Sequence, residues 1–252
     1  MRLRTLRSAT LVVVLAFLAL AAGSAGVVEG TATAGALPHV APAANTAPAA
    51  SGLAVASPAV GALFSGGRHF CSASVVHSGA GDVVLTAAHC VSGRSGLTFA
   101  PGYHDGVAPS GQWQVTGVFV APGWTASADP DLDFAFLTVH RPGESRPVES
   151  LTGANTLGTG RGFVNAVTLT GYPDTTDAPV VCRNTTTQFG AYQQRIACPG
   201  FPDGTSGGPW VTDTGFVVGV IGGYQQGGNS PDVSYSAYFD ADIQNLFSTV
   251  TG

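Results

Sequence analysis

The sequence predicts an all-β fold, a barrel or sandwich of short antiparallel strands with one helix at the C-terminal end. Three observations predict it. From about residue 59 onward, short runs rich in Val, Ile, Thr and Phe alternate with Gly/Pro/Asp/Ser clusters, the pattern of strands punctuated by turns. Glycine accounts for 35 of 252 residues, as many tight turns require. Only the last stretch carries helical spacing: Ile243, Leu246, Phe247 and Val250 recur on one face behind Asp240, a residue suited to capping.

The strand candidates run in order along the chain. They are Cys71–His77, Val83–Thr86, Gln112–Ala121, Phe134–His140, Phe163–Leu169, Trp210–Thr212 and Phe216–Ile221. No internal repeat is visible. Before them lie two segments of different texture. Residues 1–25 have the form of a secretory signal: Arg2, Arg4 and Arg7 precede an uninterrupted apolar run from Leu11 to Ala22, then small residues. The run is short for a membrane span, and an uncleaved anchor is the alternative. Residues 26–58 are rich in Ala, Pro, Gly, Thr and Ser, and Pro38, Pro42, Pro48 and Pro58 interrupt any periodicity. This segment reads as a linker or pro-segment. The folded domain is expected over 59–252.

Composition narrows the function. With 44% hydrophobic and 10% charged residues, the chain can bury a sizeable core, and disorder is disfavoured for most of it. The net charge is −5, and no lysine is present. Three of the ten basic residues sit at the extreme N-terminus, so no basic patch remains to track phosphates, and nucleic-acid binding is disfavoured. The lack of lysine and the abundance of Ala and Gly fit a GC-rich bacterial genome. Four cysteines allow three pairings, and export makes pairing expected.

Three local constellations carry chemistry. Around Ser206 the chain reads Asp203-Gly204-Thr205-Ser206-Gly207-Gly208-Pro209. Glycines let backbone turn sharply and approach a ligand. A serine hydroxyl becomes a nucleophile when a base removes its proton. The backbone N–H groups of Gly204 and Ser206 could converge as an oxyanion hole, typically worth ~3–4 kcal/mol per donor. The stretch also satisfies G-x-S-x-G. That elbow needs a helix directly after the serine, and Gly207-Gly208-Pro209 is a poor helix start. Its histidine also follows the serine, whereas the last histidine here is His140. The candidate base is His89, at the end of Val83-Val84-Leu85-Thr86-Ala87-Ala88-His89-Cys90. The candidate orienting acid is Asp133, directly before the apolar run Phe134–Val139, where an unpaired carboxylate would be expensive. Asp129 and Asp131 lie close by and either could take the role; Asp133 is preferred because the run begins immediately after it. A zinc site from His69, Cys71, His89 and Cys90 lacks ligand spacing, so no metal and no cofactor are expected.

Leu85–Cys90, Asp133–Leu137 and Asp203–Pro209 resemble the histidine, aspartate and serine motifs of the chymotrypsin- and trypsin-like serine peptidases, of bacterial type. The order His, Asp, Ser is that of this lineage. The resemblance implies two six-stranded antiparallel β-barrels and a secreted serine endopeptidase, with His89, Asp133 and Ser206 as the triad and Gly204 and Ser206 as the oxyanion hole. The mechanism is carried over from the family. A catalytically silent homologue that binds an extracellular partner is the alternative. The resemblance also implies that Cys71 pairs with Cys90 and Cys182 with Cys198. It places the primary pocket's base at Gly200 and a substrate-pairing strand near Ile221-Gly222-Gly223-Tyr224. A small or apolar substrate side chain is favoured, since no acid stands at Gly200 and Tyr224 could narrow the pocket; Asp203, nearer the pocket mouth, could instead favour a basic group. Two departures stand out. The family's aspartate before the serine, which pairs with a newly cut N-terminal ammonium, is Thr205 here. The matching N-terminal stretch is absent, Val60-Gly61-Ala62 being the nearest. Peptide or protein substrates, a monomer, and no nucleic-acid or stable membrane partner complete the expectation.

Overall fold

The computed structural model describes residues 56–252. The expected signal at 1–25 and nearly all of the 26–58 segment lie outside the described residues.

Six strands form the first half: β1 (Val60–Ser65), β2 (Arg68–Val75), β3 (Val83–Thr86), β4 (Thr98–Pro101), β5 (Trp113–Val120) and β6 (Ala135–His140). They close into an antiparallel barrel in the order β1-β2-β3-β6-β5-β4. Leu63, Val75, Val84, Phe99, Trp113 and Leu137 fill its interior. Helices α1 (Ala88–Val91), α2 (Pro122–Ser127) and α3 (Val148–Thr152) are short connectors.

The second half holds β7 (Thr156–Leu157), β8 (Ala166–Gly171), β9 (Val180–Thr185), β10 (Thr187–Gln188), β11 (Gln193–Ala197), β12 (Pro209–Thr212), β13 (Phe216–Val220) and β14 (Val233–Ala237). These form a five-stranded sheet, β7-β13-β12-β8-β9, and a three-stranded sheet, β10-β11-β14. Side chains join the sheets. Gln194 Nε2 donates to the Val218 carbonyl at 2.7 Å, and the Val220 N–H donates to Ser236 Oγ at 3.1 Å. Buried polar residues thus supplement a single backbone bond, from the Gly222 N–H to the Tyr235 carbonyl at 3.0 Å. The Cys182–Cys198 disulfide ties β9 to the end of β11.

The seam between the halves explains the apolar runs. Side chains alternate along a strand. On β6, Ala135, Leu137 and Val139 enter the barrel, while Phe136, with Phe134 before it, faces the second half. On β3, Val84 points inward and Val83 and Leu85 outward. A strand buried on both faces reads as a continuous hydrophobic run. Helix α4 (Ala241–Thr251) covers the same seam, with Ile243 fully buried and Leu246, Phe247 and Val250 packed against it. Asp240 caps it by accepting the Asp242 N–H, as its sequence predicts.

The architecture is the chymotrypsin-like one expected. The differences are local. Val60-Gly61-Ala62 lies within β1, paired to both β2 and β4, so it is ladder in mid-chain. Among the described residues, no helix is long and apolar enough to cross a membrane.

Closing a loop of this size typically contributes about 3 kcal/mol. Replacing Cys182 and Cys198 together by alanine is therefore expected to lower the Tm by about 6–12 °C, as calorimetry would read.

Candidate active site

The histidine loop follows β3 directly. Ala87 and Ala88 are completely buried, and their small side chains let α1 turn against the seam. His89 therefore sits in the first turn of a four-residue helix, where backbone N–H groups lack helical partners. Its N–H donates to Asp133 Oδ1 at 2.9 Å, and its ring Nδ1 lies 2.8 Å from Asp133 Oδ2.

Asp133 is fully buried. A 3-10 turn, Pro130–Leu132, delivers it to the start of β6. The Gly223 N–H adds a third bond, to Oδ2 at 2.8 Å. Three N–H donors offset the burial of this charge. The neighbouring acids have other tasks: Asp129 caps the 3-10 turn by accepting the Asp131 N–H, and Asp131 accepts from Gln193 Nε2. Of the three aspartates, Asp133 is the one that faces the imidazole.

Ser206 sits in the turn between β11 and β12. Gly204 has φ of +91°, and a Cβ there would stand 2.2 Å from the Asp174 nitrogen and 2.6 Å from the Tyr172 carbonyl oxygen, so only glycine fits. The carbonyls of Asp203, Gly204, Thr205 and Ser206 all accept hydrogen bonds from the protein. The N–H groups of Thr205 and Gly207 donate to Pro202 and Ile221. Among the described residues, no protein group accepts from the N–H of Gly204 or of Ser206. Thr205 is buried, and its hydroxyl donates to the Pro202 carbonyl at 2.7 Å. It closes the turn on itself where the family pattern has a carboxylate.

His89, Ser206 and Gly204 line one cavity of about 760 Å³. Its far wall is Phe201, Pro202, Ile221 and the loop 225–231. No hydrogen bond joins Ser206 to His89; the ring Nε2 lies 3.8 Å from Cys90 Sγ. Catalytic hydrogen bonds are often long in unliganded sites and shorten once substrate is seated.

The expected pocket residues are only partly brought together. Ile221 lines the cavity, whereas Gly200, Gly222, Gly223 and Tyr224 do not. Phe201, one residue beyond Gly200, takes the wall position. The expected extended strand over Ile221–Tyr224 is also absent: β13 ends at Val220, and Tyr224–Gly227 coils into a 3-10 turn. Gly223 is the cause. Its φ of +75° directs its N–H to Asp133, and a Cβ there would meet Gln193 Oε1 at 2.3 Å. Tyr224 instead packs at steep ring angles against Phe189 and Tyr235. Sequence reading missed the loop 225–231, Phe70 and Arg94, which line the same cavity with the guanidinium over the ring, and Ser72, bonded to the serine turn.

Cys71 and Cys90 are joined by a disulfide. Their sulfurs approach His89 as a would-be metal cluster, but both are consumed in the S–S bond and offer no thiolate.

Beside the serine turn, Tyr103 donates to Asp177 Oδ1 at 2.6 Å within a cluster of Phe64 and His69. Burial, then the hydrogen bond and the charge of Asp177, push its pKa up from 10.0 to about 12. A pKa raised on folding contributes stability that is full below pH 10 and lost as pH rises towards 12. A tyrosinate absorbance titration should show two late phenols, of which the one near pH 12 is absent from Tyr103→Phe. Burial raises Tyr172 as well.

A closed six-stranded barrel packed on a second β half, with histidine, aspartate and serine loops converging at the seam, is a chymotrypsin-like serine peptidase architecture. The family model described as Trypsin matches residues 47–242, and the chain belongs to the trypsin family. Among solved structures, protease Anisep from Arthrobacter nicotinovorans is 24% identical with a TM-score of 0.70, covering 79% of this chain and 97% of that one. A thermostable serine protease, AL20, from an extremophilic microorganism is 26% identical with a TM-score of 0.69, covering 77% and 97%. A Glu endopeptidase in complex with MPD is 17% identical with a TM-score of 0.64, covering 79% and 93%. No match is found among curated proteins. Family and fold make the chain a serine endopeptidase, a hydrolase of peptide or protein substrates.

Proposed function

We propose that the protein is an exported serine endopeptidase that works through an acyl-enzyme, with His89, Asp133 and Ser206 as its triad. The observation that carries this reading is the buried Asp133 carboxylate held by both N–H groups of His89, with His89 and Ser206 lining one cavity. Ser206 Oγ attacks the scissile carbonyl, and His89 Nε2 takes its proton. Asp133 keeps the remaining ring proton on Nδ1 and stabilises the imidazolium. The unused N–H groups of Gly204 and Ser206 receive the oxyanion. His89 then protonates the leaving amine, and water activated by the same base releases the acyl group.

The far wall sets the substrate class. Phe201 and Ile221 are apolar, although Asp174 and Asp203 line the same cavity. A small or apolar side chain on the acyl side of the cut fits this wall. The two disulfides suit an oxidising compartment and so support the reading of 1–25 as a signal; a linker at 26–58 and a monomeric domain over 59–252 complete the proposal. The missing Ser206–His89 hydrogen bond favours a second reading, a silent homologue that binds peptide without cutting it.

The test is hydrolysis of a peptide library by protein recovered from the culture medium, with N-terminal sequencing of that protein. Cleavage after small or apolar residues, lost in Ser206→Ala, is expected. A folded, disulfide-intact wild type that binds peptides and cuts none would replace this reading with the second.

A further inference from the structure

Ser72 lies on β2, far from Ser206 in sequence, and is completely buried. It makes four hydrogen bonds. Its N–H donates to the Ser206 carbonyl at 2.7 Å, and its hydroxyl donates to the Gly204 carbonyl at 3.0 Å. The same hydroxyl accepts the Tyr172 N–H at 2.8 Å, and its carbonyl accepts the Thr86 hydroxyl at 2.8 Å.

The consequence follows from peptide geometry. In a trans peptide the C=O and the following N–H point in opposite directions. The Gly204 N–H shares a plane with the Asp203 carbonyl, which accepts from the Asp174 N–H at 3.0 Å. The Ser206 N–H shares a plane with the Thr205 carbonyl, which accepts from the Gly208 N–H at 2.9 Å. The planes that follow these two end in the carbonyls of Gly204 and Ser206, and Ser72 holds both. Four consecutive planes are thereby pinned, and the two free N–H groups are left on the opposite side.

Resting on the reading of Ser206 as nucleophile, we propose that the Ser72 hydroxyl is a positioning residue of the oxyanion hole. It fixes the peptide plane that follows Gly204 from the outer face of β2, opposite the barrel-facing Cys71 and Ala73, in a chain whose Thr205 offers no carboxylate for an N-terminal ammonium. The serine turn then stands built by contacts internal to the domain. Ser72 touches neither substrate nor His89, so its effect falls on the transition-state charge and not on ground-state binding.

The experiment compares wild type, Ser72→Ala and Ser72→Cys on one ester and one peptide substrate. Active sites are counted by fluorophosphonate titration, and pH profiles are recorded. Removing an oxyanion donor typically lowers kcat by about 10²–10³; loosening one should lower it by about 10- to 100-fold. Ser72→Ala is expected in that range, with KM nearly unchanged and the acid limb of the profile unmoved. Ser72→Cys keeps the shape with a weaker donor and should fall between. If Ser72→Ala does not fold, Ser72→Cys decides alone. A folded variant with kcat within about twofold of wild type overturns the proposal, as does a shift of the acid limb that accounts for the loss. A wild type that neither labels nor hydrolyses would take the proposal down with the functional reading, and the wild-type control separates that failure from the others.

Discussion

Replacing Asp133 by asparagine is expected to lower kcat by about 10⁴-fold, the magnitude of the corresponding change in the family's triad, carried over and not obtained from this structure. The local geometry gives the reason. Asp133 Oδ1 accepts from the His89 N–H, and Oδ2 accepts from both His89 Nδ1 and the Gly223 N–H. An amide has one carbonyl oxygen and one NH2. With the oxygen in the Oδ2 position, the NH2 meets the His89 backbone N–H, donor against donor. With the oxygen in the Oδ1 position, the NH2 faces Nδ1 and the Gly223 N–H. The ring must then carry its proton on Nε2, where it cannot act as a base. Either placement leaves a buried N–H unpaired, at about 1–3 kcal/mol. The variant should thus lose stability as well as activity. Denaturant unfolding and steady-state kinetics on the same preparation read both. Unchanged kcat would remove Asp133 from the triad.

The second large effect is at Ser206 and His89. Each single alanine variant is expected to lower kcat by about 10⁶-fold, and the double variant by no more than either alone. The two act as one unit, since an unactivated hydroxyl and a base without its nucleophile are equally idle. Residual activity of about 10³–10⁴ over water should remain from the oxyanion donors and substrate binding. Ser206 is half-buried and its change should leave the fold intact; His89→Ala removes one of the three donors to the buried Asp133 carboxylate, leaving the two backbone N–H bonds, so its folding is checked by denaturant unfolding. Additive losses in the double variant would mean that the two residues do not share a step.

How far these residues were legible depends on where their information lies. The seam strands β3 and β6 could be read because both faces are buried, so Val83–Thr86 and Phe134–Val139 stand out as apolar runs. Helix α4 could be read because its cap and apolar spacing are local. By contrast, β11 and β14 turn Gln194, Ser234 and Ser236 inward, and no alternation of apolar residues marks them. Helix α1 is one turn long, too short for any periodicity. The three triad candidates each sit in a local motif and were named from it. The cavity wall was not, because its course depends on Gly223 and on Gln225 and Gln226, both at positive φ. No short motif encodes that path. Ser72 carries no local signal at all: its partners come from Tyr172, Thr86 and the serine turn, brought together only by the barrel.

The most direct test of the central claim is covalent labelling of the folded, disulfide-intact protein with a fluorophosphonate, followed by peptide mapping of the adduct. Modification confined to the peptide containing Ser206, and lost in both Ser206→Ala and His89→Ala, is the predicted result. A folded wild type that stays unlabelled, or one that labels at another residue and still does so without His89, would contradict it.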